Sequence, residues 1–274
     1  MSFLFVIGTA SLDTLHFAGQ TVSAAGGAGL YTALAAHQAG NRAGLFAPRP
    51  RPLPEALAPA AECIEWLGPE IAPTDLPRLE IAHHGGGRAT LVNASWGAEA
   101  RLTPEVLPPA VRQAEVVHIA ALSSARRQLD FLQSLQAVPT PPLISVGTYA
   151  RLVYGETELV RQLFEAADLF FMNENEAIGL FGAVAAASAR PGQRLFVTRG
   201  QRGALIIEDE SVIEIPAGPA VELDPTGAGD TFCGATLAGL AHGLSPVEAA
   251  RRAVKLAART IAAPGPAALL YDQR

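Results

Sequence analysis

Short apolar runs recur along this chain and alternate with longer segments that have helical periodicity. Each run is too short for a helix and is bounded by turn residues, a pattern typical of buried strands. Because parallel strands need crossover connections, the alternation predicts a mainly parallel sheet with helices on both faces. The predicted strands are 3–7, 116–121, 143–146, 169–172 and 195–198, and the predicted helices include 30–39, 125–137 and 156–167.

Two segments interrupt this alternation and predict antiparallel hairpins. The first, 79–102, alternates apolar and polar residues around Gly85–Gly87, so one of its faces is expected to be wet. We expect 12–22 to join it in a small sheet outside the main one. The second hairpin is 203–215. The proline-rich stretch 48–59 predicts an irregular connection, because a linker there would leave the flanking apolar strands without a core.

Charge and cysteine content exclude several classes of protein. The net charge of −6 and the lack of a basic run argue against a nucleic-acid partner. Residues 14–41 carry no charged side chain, but polar residues and glycines leave no apolar run that could span a bilayer. The start of the chain lacks the basic region of a signal peptide. With two distant cysteines, Cys63 and Cys233, we expect a cytoplasmic protein with reduced thiols and no membrane partner.

The segment 224–232, Asp-Pro-Thr-Gly-Ala-Gly-Asp-Thr-Phe, leads into an apolar helical stretch. A helix that begins with small residues has free backbone N–H groups, which can bind an anion such as phosphate. Asp230 lies in its first turn, where a carboxylate can accept a proton from a hydroxyl beside that phosphate. A phosphate site next to a base indicates a kinase. A helix that serves only for packing, with a small-residue start, remains the alternative.

The same segment closely resembles the C-terminal signature of the PfkB (ribokinase-like) carbohydrate kinase family. Three other pieces agree with that family in order and spacing. Gly26-Gly27 resembles its N-terminal di-glycine, residues 173–176 (Asn-Glu-Asn-Glu) its N-x-x-E motif, and residues 197–203 its V-T-x-G-x-x-G turn. The resemblance extends from Val6 to about Pro266, which is nearly the whole chain.

This resemblance implies a fold and an activity. The fold is one three-layer α/β/α ribokinase-like domain over 1–274, with a mainly parallel central sheet and a small β lid near 12–22 and 79–102. The activity is transfer of the γ-phosphoryl group of ATP, with Mg²⁺, to a hydroxyl of a small-molecule acceptor: a sugar, a cyclitol or other polyol, or a nucleoside. The turn 263–265 resembles the family's K⁺ loop, and a homodimer formed through the lid is a further expectation. The alternative is a nucleotide- or sugar-binding regulatory protein of the same fold without turnover.

The resemblance also assigns a role to each matching residue. The anion hole consists of Gly227, Ala228 and Gly229, and the catalytic base is Asp230. The residues implied to surround the nucleotide are Asn173, Glu176, Thr198, Gly200, Gly203 and Thr226. Mg²⁺ is expected to contact Glu176 through water. The residues implied to hold the acceptor are Asp13, Gly26, Gly27, Tyr31 and Asn93. Asp13 has its own rationale, because a carboxylate near the end of the first strand can accept two hydroxyl hydrogen bonds.

Two departures from the family pattern bear on the acceptor. Tyr31 stands where many members have Asn, and Gly147 where a strand often ends in Asp. The acceptor is therefore not transferred from the family. We expect a neutral ring, with cyclitols and nucleosides ahead of ribose, because 14–41 offers no cation for a second phosphate.

Four basic residues of the first hairpin have simpler interpretations. His83 and His84 predict a polar hairpin tip, since no third ligand accompanies them at metal spacing. Arg88 and Arg101 are expected on the hairpin surface, where they would contact an anionic acceptor only if they turned into the cleft.

Overall fold

The computed structural model describes residues 2–17, 19–85 and 88–270. These residues form fifteen strands: β1 (Phe3–Ile7), β2 (Ser11–Phe17), β3 (Gln20–Gly26), β4 (Arg42–Phe46), β5 (Arg49–Pro50), β6 (Glu65–Leu67), β7 (Glu70–Ile71), β8 (Arg78–Gly85), β9 (Arg88–Ser95), β10 (Val116–Ile119), β11 (Leu143–Gly147), β12 (Leu169–Asn173), β13 (Arg194–Thr198), β14 (Ala204–Glu208) and β15 (Ser211–Ile215). The α-helices in the same residues are α1 (Ala28–Gln38), α2 (Ala58–Cys63), α3 (Ala125–Gln136), α4 (Ala150–Gly155), α5 (Thr157–Ala166), α6 (Glu174–Phe181), α7 (Ala228–Ala241), α8 (Pro246–Thr260) and α9 (Ala267–Leu270).

The central sheet has nine strands in the order β15-β14-β13-β12-β11-β10-β1-β4-β6. Its strands from β13 to β6 pair in parallel, and β14 and β15 add an antiparallel edge. β1 reads Phe-Leu-Phe-Val-Ile and is buried throughout, as expected for a strand covered on both faces. The predicted α/β fold with a mainly parallel sheet is confirmed.

Two hydrophobic cores lie on the two faces of this sheet. Leu4 and Val6 of β1 join one core with side chains of α1, α7 and α8. Phe3, Phe5 and Ile7 of the same strand join the other core with side chains of α3, α5 and α6. Because successive side chains of a strand point to opposite faces, this division places helices on both sides of the sheet. The predicted three-layer arrangement follows from it.

Helices α1 and α7 pack against each other through small residues. An ideal Cβ built on Gly234 of α7 would lie 2.1 Å from the carbonyl oxygen of Thr32 in α1, so the two backbones are in direct contact. α1 begins after Gly27 and α7 begins after Gly227. The close helix pair therefore fixes the two glycine loops relative to each other.

The remaining long strands form a second, four-stranded sheet in the order β3-β2-β8-β9, called the small sheet below. β2 pairs antiparallel with β3 and parallel with β8, and β8 pairs antiparallel with β9. The predicted pairing of 12–22 with 79–102 is thus observed. Asp13 lies within β2, opposite Ala24, and not at the end of β1 as expected, because the chain begins a new strand at Ser11.

Some connecting elements differ from the prediction. β4 and β6 belong to the central sheet although neither was predicted, and the proline-rich stretch contains β5 and the start of α2. The second predicted hairpin is present as β14 and β15. Across the described part of the chain, no helix combines the length and apolar character needed to cross a membrane.

Candidate active site

A cleft of about 350 Å³ opens at the carboxyl end of the central sheet, beside the small sheet. β1 and β10 are neighbours in the central sheet. From β1 the chain continues to β4 on one side, and from β10 it continues to β11 on the other side, so this pair of strands marks a topological switch point. Ligands of open α/β sheets bind at such points. The cleft residues that end or follow the strands are Thr9, Ala121, Gly147, Thr148, Tyr149, Asn173 and Thr198.

The start of α7 forms one wall of the cleft. Gly227 adopts a left-handed backbone conformation (φ 73°), and an ideal Cβ there would lie 2.4 Å from the Tyr31 ring. Only glycine fits both conditions without strain. An ideal Cβ on Gly229, by contrast, would meet no atom within 4 Å, and Gly229 lines the cleft. The Ala228 N–H donates to the Pro225 carbonyl oxygen (3.2 Å), which corrects its expected place in the anion hole and leaves the amides of Gly227 and Gly229 to bind an anion in this space.

Asp230 is the third residue of α7 and also lines the cleft. Burial raises the pKa of its carboxyl group from 3.8 to about 7, and the side chain's hydrogen bond to its own backbone amide opposes that rise. A carboxyl group with a pKa near 7 can take up and release a proton near neutral pH, as a general base must.

Asn173 and Glu176 connect β12 to α6 through a capping box. The Glu176 backbone N–H donates to Asn173 Oδ1 (3.0 Å), and the Asn173 backbone N–H donates to Glu176 Oε2 (2.8 Å). Burial, together with the nearby charge of Asp230, raises the pKa of Glu176 to about 8. Two carboxyl groups therefore face one cleft, where a bound cation would favour their ionised forms.

Asp13 approaches the cleft from the small sheet. Its side chain is buried, and Oδ1 accepts a 3.3 Å hydrogen bond from the Leu79 backbone N–H. Burial is the main cause that raises its pKa to about 6. An ideal Cβ on Gly26 would lie 1.8 Å from Asp13 Oδ2, so the first glycine of the di-glycine segment makes room for this carboxylate. The carboxylate can accept hydroxyl hydrogen bonds from a ligand.

Asp224 lies fully buried behind the anion-binding loop. It accepts hydrogen bonds from the backbone N–H groups of Thr226 (2.9 Å) and Gly265 (2.7 Å). The turn 263–265 therefore packs against Asp224, where the resemblance places a K⁺ loop. A K⁺ site there remains a prediction.

His83 is not part of an exposed polar tip, which corrects the sequence-based expectation. Its side chain is only 4% exposed, and Nε2 lies 3.1 Å from Asp224 Oδ1 and 3.2 Å from Thr226 Oγ1. His84 fits the expectation, because it is exposed and its Nε2 contacts Thr90 Oγ1 at 2.9 Å. The two adjacent histidines point to opposite faces of β8, and only one of them meets the loop of α7.

The outer part of the cleft has an aromatic wall formed by Trp96 and Tyr149. Their ring centroids are 6.2 Å apart in an edge-to-face arrangement. The guanidinium of Arg151 lies 6.0 Å from the Trp96 centroid. Leu79 and Leu91 of the small sheet line the same part of the cleft. This surface can pack against a flat apolar ring.

His118 of β10 lies at the floor of the cleft and faces α7. Its Nδ1 is 2.8 Å from Ser145 Oγ, and Cys233 Sγ is 3.6 Å from its Nε2. Burial lowers the pKa of His118 to about 3, so the imidazole is neutral at physiological pH. Cys233 is buried, Cys63 is partly buried, and both thiols are free.

Comparison with known proteins identifies this architecture. A family model described as pfkB family carbohydrate kinase matches residues 70–272. The chain belongs to the pfkB carbohydrate kinase family. The cytidine kinase of Thermococcus kodakarensis is 30% identical over 251 residues, which cover 88% of this chain and 89% of that protein. The fold also matches the adenosine kinase of Sinorhizobium meliloti, with a TM-score of 0.79 and 19% identity over 97% of this chain and 95% of that one. It likewise matches the ribokinase of Cryptococcus neoformans in complex with ADP, with a TM-score of 0.80 and 18% identity over 98% of this chain and 96% of that one.

As a member of this kinase family, the chain is expected to need Mg²⁺ with its nucleotide. No group of three or more metal-ligating side chains occurs among the described residues. The carboxylate of Glu176 is a hard oxygen donor at the cleft, and Mg²⁺ is commonly held by one or two carboxylates, substrate phosphates and water. Glu176 fits such a site, with the nucleotide and water supplying the other ligands.

Most residues predicted for the pfkB kinase site line one cleft: Asp13, Gly27, Tyr31, Asn173, Glu176, Thr198, Thr226, Gly227, Gly229 and Asp230. Tyr31 contributes its ring as a buried support beneath Gly227. The predicted residues that do not line the cleft are Gly26, Asn93, Gly200, Gly203 and Ala228. Asn93 is exposed on β9, and an ideal Cβ on Gly203 would lie 2.0 Å from the Ile215 carbonyl oxygen, so packing alone requires glycine there.

The predicted surface positions of Arg88 and Arg101 differ in what the structure shows of them. Arg101 is exposed and lies 3.5 Å from Asp75, in agreement with a surface position. The Arg88 side chain lies outside the described part of the structure.

Sequence reasoning missed several residues of the cleft in this pfkB kinase. Trp96, Tyr149 and His118 belong to no local motif, but two of them follow or belong to predicted parallel strands at the carboxyl edge of the sheet. That position was a usable signal, because side chains at this edge meet in one place. Nothing local marks Trp96, which reaches the cleft through the small sheet.

Proposed function

We propose that this chain is an ATP-dependent kinase that phosphorylates a hydroxyl of a nucleoside. The observation that carries the proposal is the pairing of a buried carboxylate, Asp13, with the aromatic wall of Trp96 and Tyr149 in one cleft. A carboxylate suits the hydroxyls of a sugar, and an aromatic wall suits a planar base. One relative, 30% identical over 88% of this chain, is called a cytidine kinase, which supports the same acceptor class.

A simple sugar or polyol leaves part of this cleft unused. Leu79, Leu91, Trp96 and Tyr149 present apolar surface that a sugar ring of hydroxyls would not match. A sugar phosphate matches the cleft lining less well than a sugar does, because the described lining contains no Lys or Arg to pair with the phosphate. A neutral acceptor with one polar and one flat apolar part therefore fits the lining best.

The proposed reaction is direct transfer of the γ-phosphoryl group. The acceptor hydroxyl oxygen forms a bond to the γ-phosphorus as the bond to the bridging oxygen breaks, and ADP leaves with that electron pair. Asp230 takes the hydroxyl proton, and the amides of Gly227 and Gly229 stabilise the charge on the transferring group. When bound, Mg²⁺ neutralises phosphate charge during transfer. Asn173 and Glu176 would hold the nucleotide end through Mg²⁺ and its water.

The pH profile tests the role of Asp230. Because the base acts in its ionised form, kcat/KM is expected to rise with pH, about tenfold per unit at low pH, and to level off above an apparent pKa near 7. Glu176 titrates in the same range, so the profile is also measured in Glu176→Gln. The inflection is expected to remain in that variant. Its disappearance there would assign the inflection to Glu176 and contradict the proposed base.

The acceptor is tested by ligand-induced stabilisation and turnover. A panel of nucleosides, cyclitols, sugars and sugar phosphates is compared by thermal shift, where a ligand at 100 times its Kd adds about 2.7 kcal/mol. Acceptor-dependent ADP release is then measured for each compound. We expect nucleosides to stabilise the protein and to be turned over.

Replacing Trp96 by Ala tests the aromatic wall directly. We expect the KM for the preferred nucleoside to rise roughly 5- to 100-fold, the size of a lost ring-stacking contact, while any turnover of ribose stays unchanged. Tyr154→Ala is the matched control, since this tyrosine is 64% exposed and does not line the cleft. A preference for simple sugars or sugar phosphates, unaffected by Trp96→Ala, would reject the nucleoside proposal. Binding without ADP release for every compound would favour a regulatory protein.

A further inference from the structure

The hairpin of β8 and β9 reaches the loop before α7 through one buried side chain. His83 lies near the far end of β8, where the next residues, His84 and Gly85, are exposed. Its own side chain is nevertheless 4% exposed and packs beside the Phe17 ring of β2, with centroids 6.4 Å apart. Its Nε2 meets Asp224 and Thr226, which belong to the other side of the cleft.

Asp224 is the point at which this contact meets the phosphate side of the cleft. The Asp224 carboxylate accepts hydrogen bonds from the backbone N–H groups of Thr226 and Gly265, and its Oδ1 lies 3.1 Å from His83 Nε2. Thr226 directly precedes Gly227, whose conformation starts α7. His83 therefore contacts the loop that presents the anion-binding amides.

The hydrogen-bond chemistry fixes the role of the ring. His83 Nε2 is hydrogen-bonded to Thr226 Oγ1 (3.2 Å) and lies 3.1 Å from Asp224 Oδ1; because a carboxylate can only accept, Nε2 carries the hydrogen. Nδ1 is buried and has no partner among the described residues. A buried nitrogen without a partner costs folding stability.

We propose that His83 is a positioning residue that links the small sheet to the anion-binding loop. When the hairpin covers the cleft, the Nε2–H bond to Thr226 Oγ1, beside Asp224, positions Thr226 and Gly227, so that phosphate binding and coverage of the acceptor occur together. The inference rests on the kinase reaction proposed above. It concerns a contact outside the acceptor subsite, because His83 does not line the cleft.

Three substitutions of one residue separate this role from packing. His83→Phe keeps a ring beside Phe17 but removes the donor, and it is expected to lower kcat roughly 10- to 100-fold with a smaller change in acceptor KM. His83→Gln places an amide N–H near the position of Nε2 and is expected to recover most of the rate. His83→Asn is polar but too short to reach Asp224, so it is expected to behave like the Phe variant.

His84→Phe is the matched control, because His84 is the exposed neighbour on the same strand. It is expected to keep wild-type kcat. A second measurement is ATP hydrolysis without acceptor, expressed as a fraction of total turnover, which is expected to increase in the Phe and Asn variants and not in the Gln variant. Amide exchange of 226–229 is expected to become faster in the same two variants.

The outcomes are decisive in each direction. A His83→Phe rate within twofold of His84→Phe would overturn the proposal, as would a Gln variant no better than Asn. If the Phe variant fails to fold, the comparison of Gln with Asn still decides. Wild-type protein that releases no ADP with any acceptor would instead reject the proposed function, and amide exchange of 226–229 would then test the link alone.

Discussion

Asp230→Asn is expected to lower kcat roughly 10²- to 10⁴-fold while nucleotide binding stays close to that of the wild type. The amide has nearly the same shape as the carboxylate and keeps its place in the first turn of α7, but it cannot accept the hydroxyl proton. The measurements are steady-state kinetics for the acceptor and a direct binding measurement for ATP. Activity within a few-fold of wild type would remove Asp230 from the reaction.

The same variant also has an expected effect on stability. Folding raises the pKa of Asp230 from 3.8 to about 7, so the ionised carboxylate destabilises the folded protein increasingly as the pH rises from about 4 to about 7. Above pH 7 the neutral Asn side chain is therefore expected to give a Tm at or above that of the wild type. Asp209→Asn, in the exposed turn between β14 and β15, is the control and is expected to leave kcat unchanged.

Gly229→Val is expected to reduce kcat/KM at least about 10²-fold in a protein that remains folded. The valine side chain keeps the anion away from a stabilising backbone N–H, and the loss of one such donor lowers the rate by about this factor. The ideal Cβ at this position meets no protein atom within 4 Å, so the added side chain occupies cleft space and not core space. The measurements are kcat/KM for ATP, ATP affinity and Tm.

Two other glycines provide the comparison for Gly229. Gly155→Val adds the same side chain in open space at the end of α4, away from the cleft, and is expected to keep full activity. Gly234→Val lies five residues further along α7, where a Cβ would lie 2.1 Å from the Thr32 carbonyl oxygen, and is expected to lose stability. A Gly229→Val protein as unstable as Gly234→Val would show that the small residue serves packing.

The central sheet was predictable where each strand carries its own signal. β1 is a continuous apolar run, β10 is interrupted only by His118 and β12 is apolar up to Asn173, so burial on both faces makes the run itself the signature of the strand. β4 reads Arg-Ala-Gly-Leu-Phe and β6 has only three residues. Neither pattern differs from a loop until the neighbouring strands supply the hydrogen-bonding partners.

The candidate site was predictable for residues inside contiguous motifs. Asp230, Gly227 and Glu176 lie at helix starts, where spacing along the chain determines the local geometry. His83 could not be assigned in this way, because the exposed and buried faces of β8 are decided by its packing against the loop before α7. Its sequence neighbour His84 has the same chemistry and the opposite environment.

The backbone contact between α1 and α7 bears on how acceptor preference can diverge. Gly27 at the start of one helix and Gly227 at the start of the other are joined through a helix pair that has no room for larger side chains at Gly234. The separation between acceptor and phosphate sites is therefore inherited from a rigid part of the scaffold. Substitutions in the small sheet that leave the His83 contact intact are therefore expected to change the proposed acceptor contacts without rebuilding the geometry proposed for phosphoryl transfer.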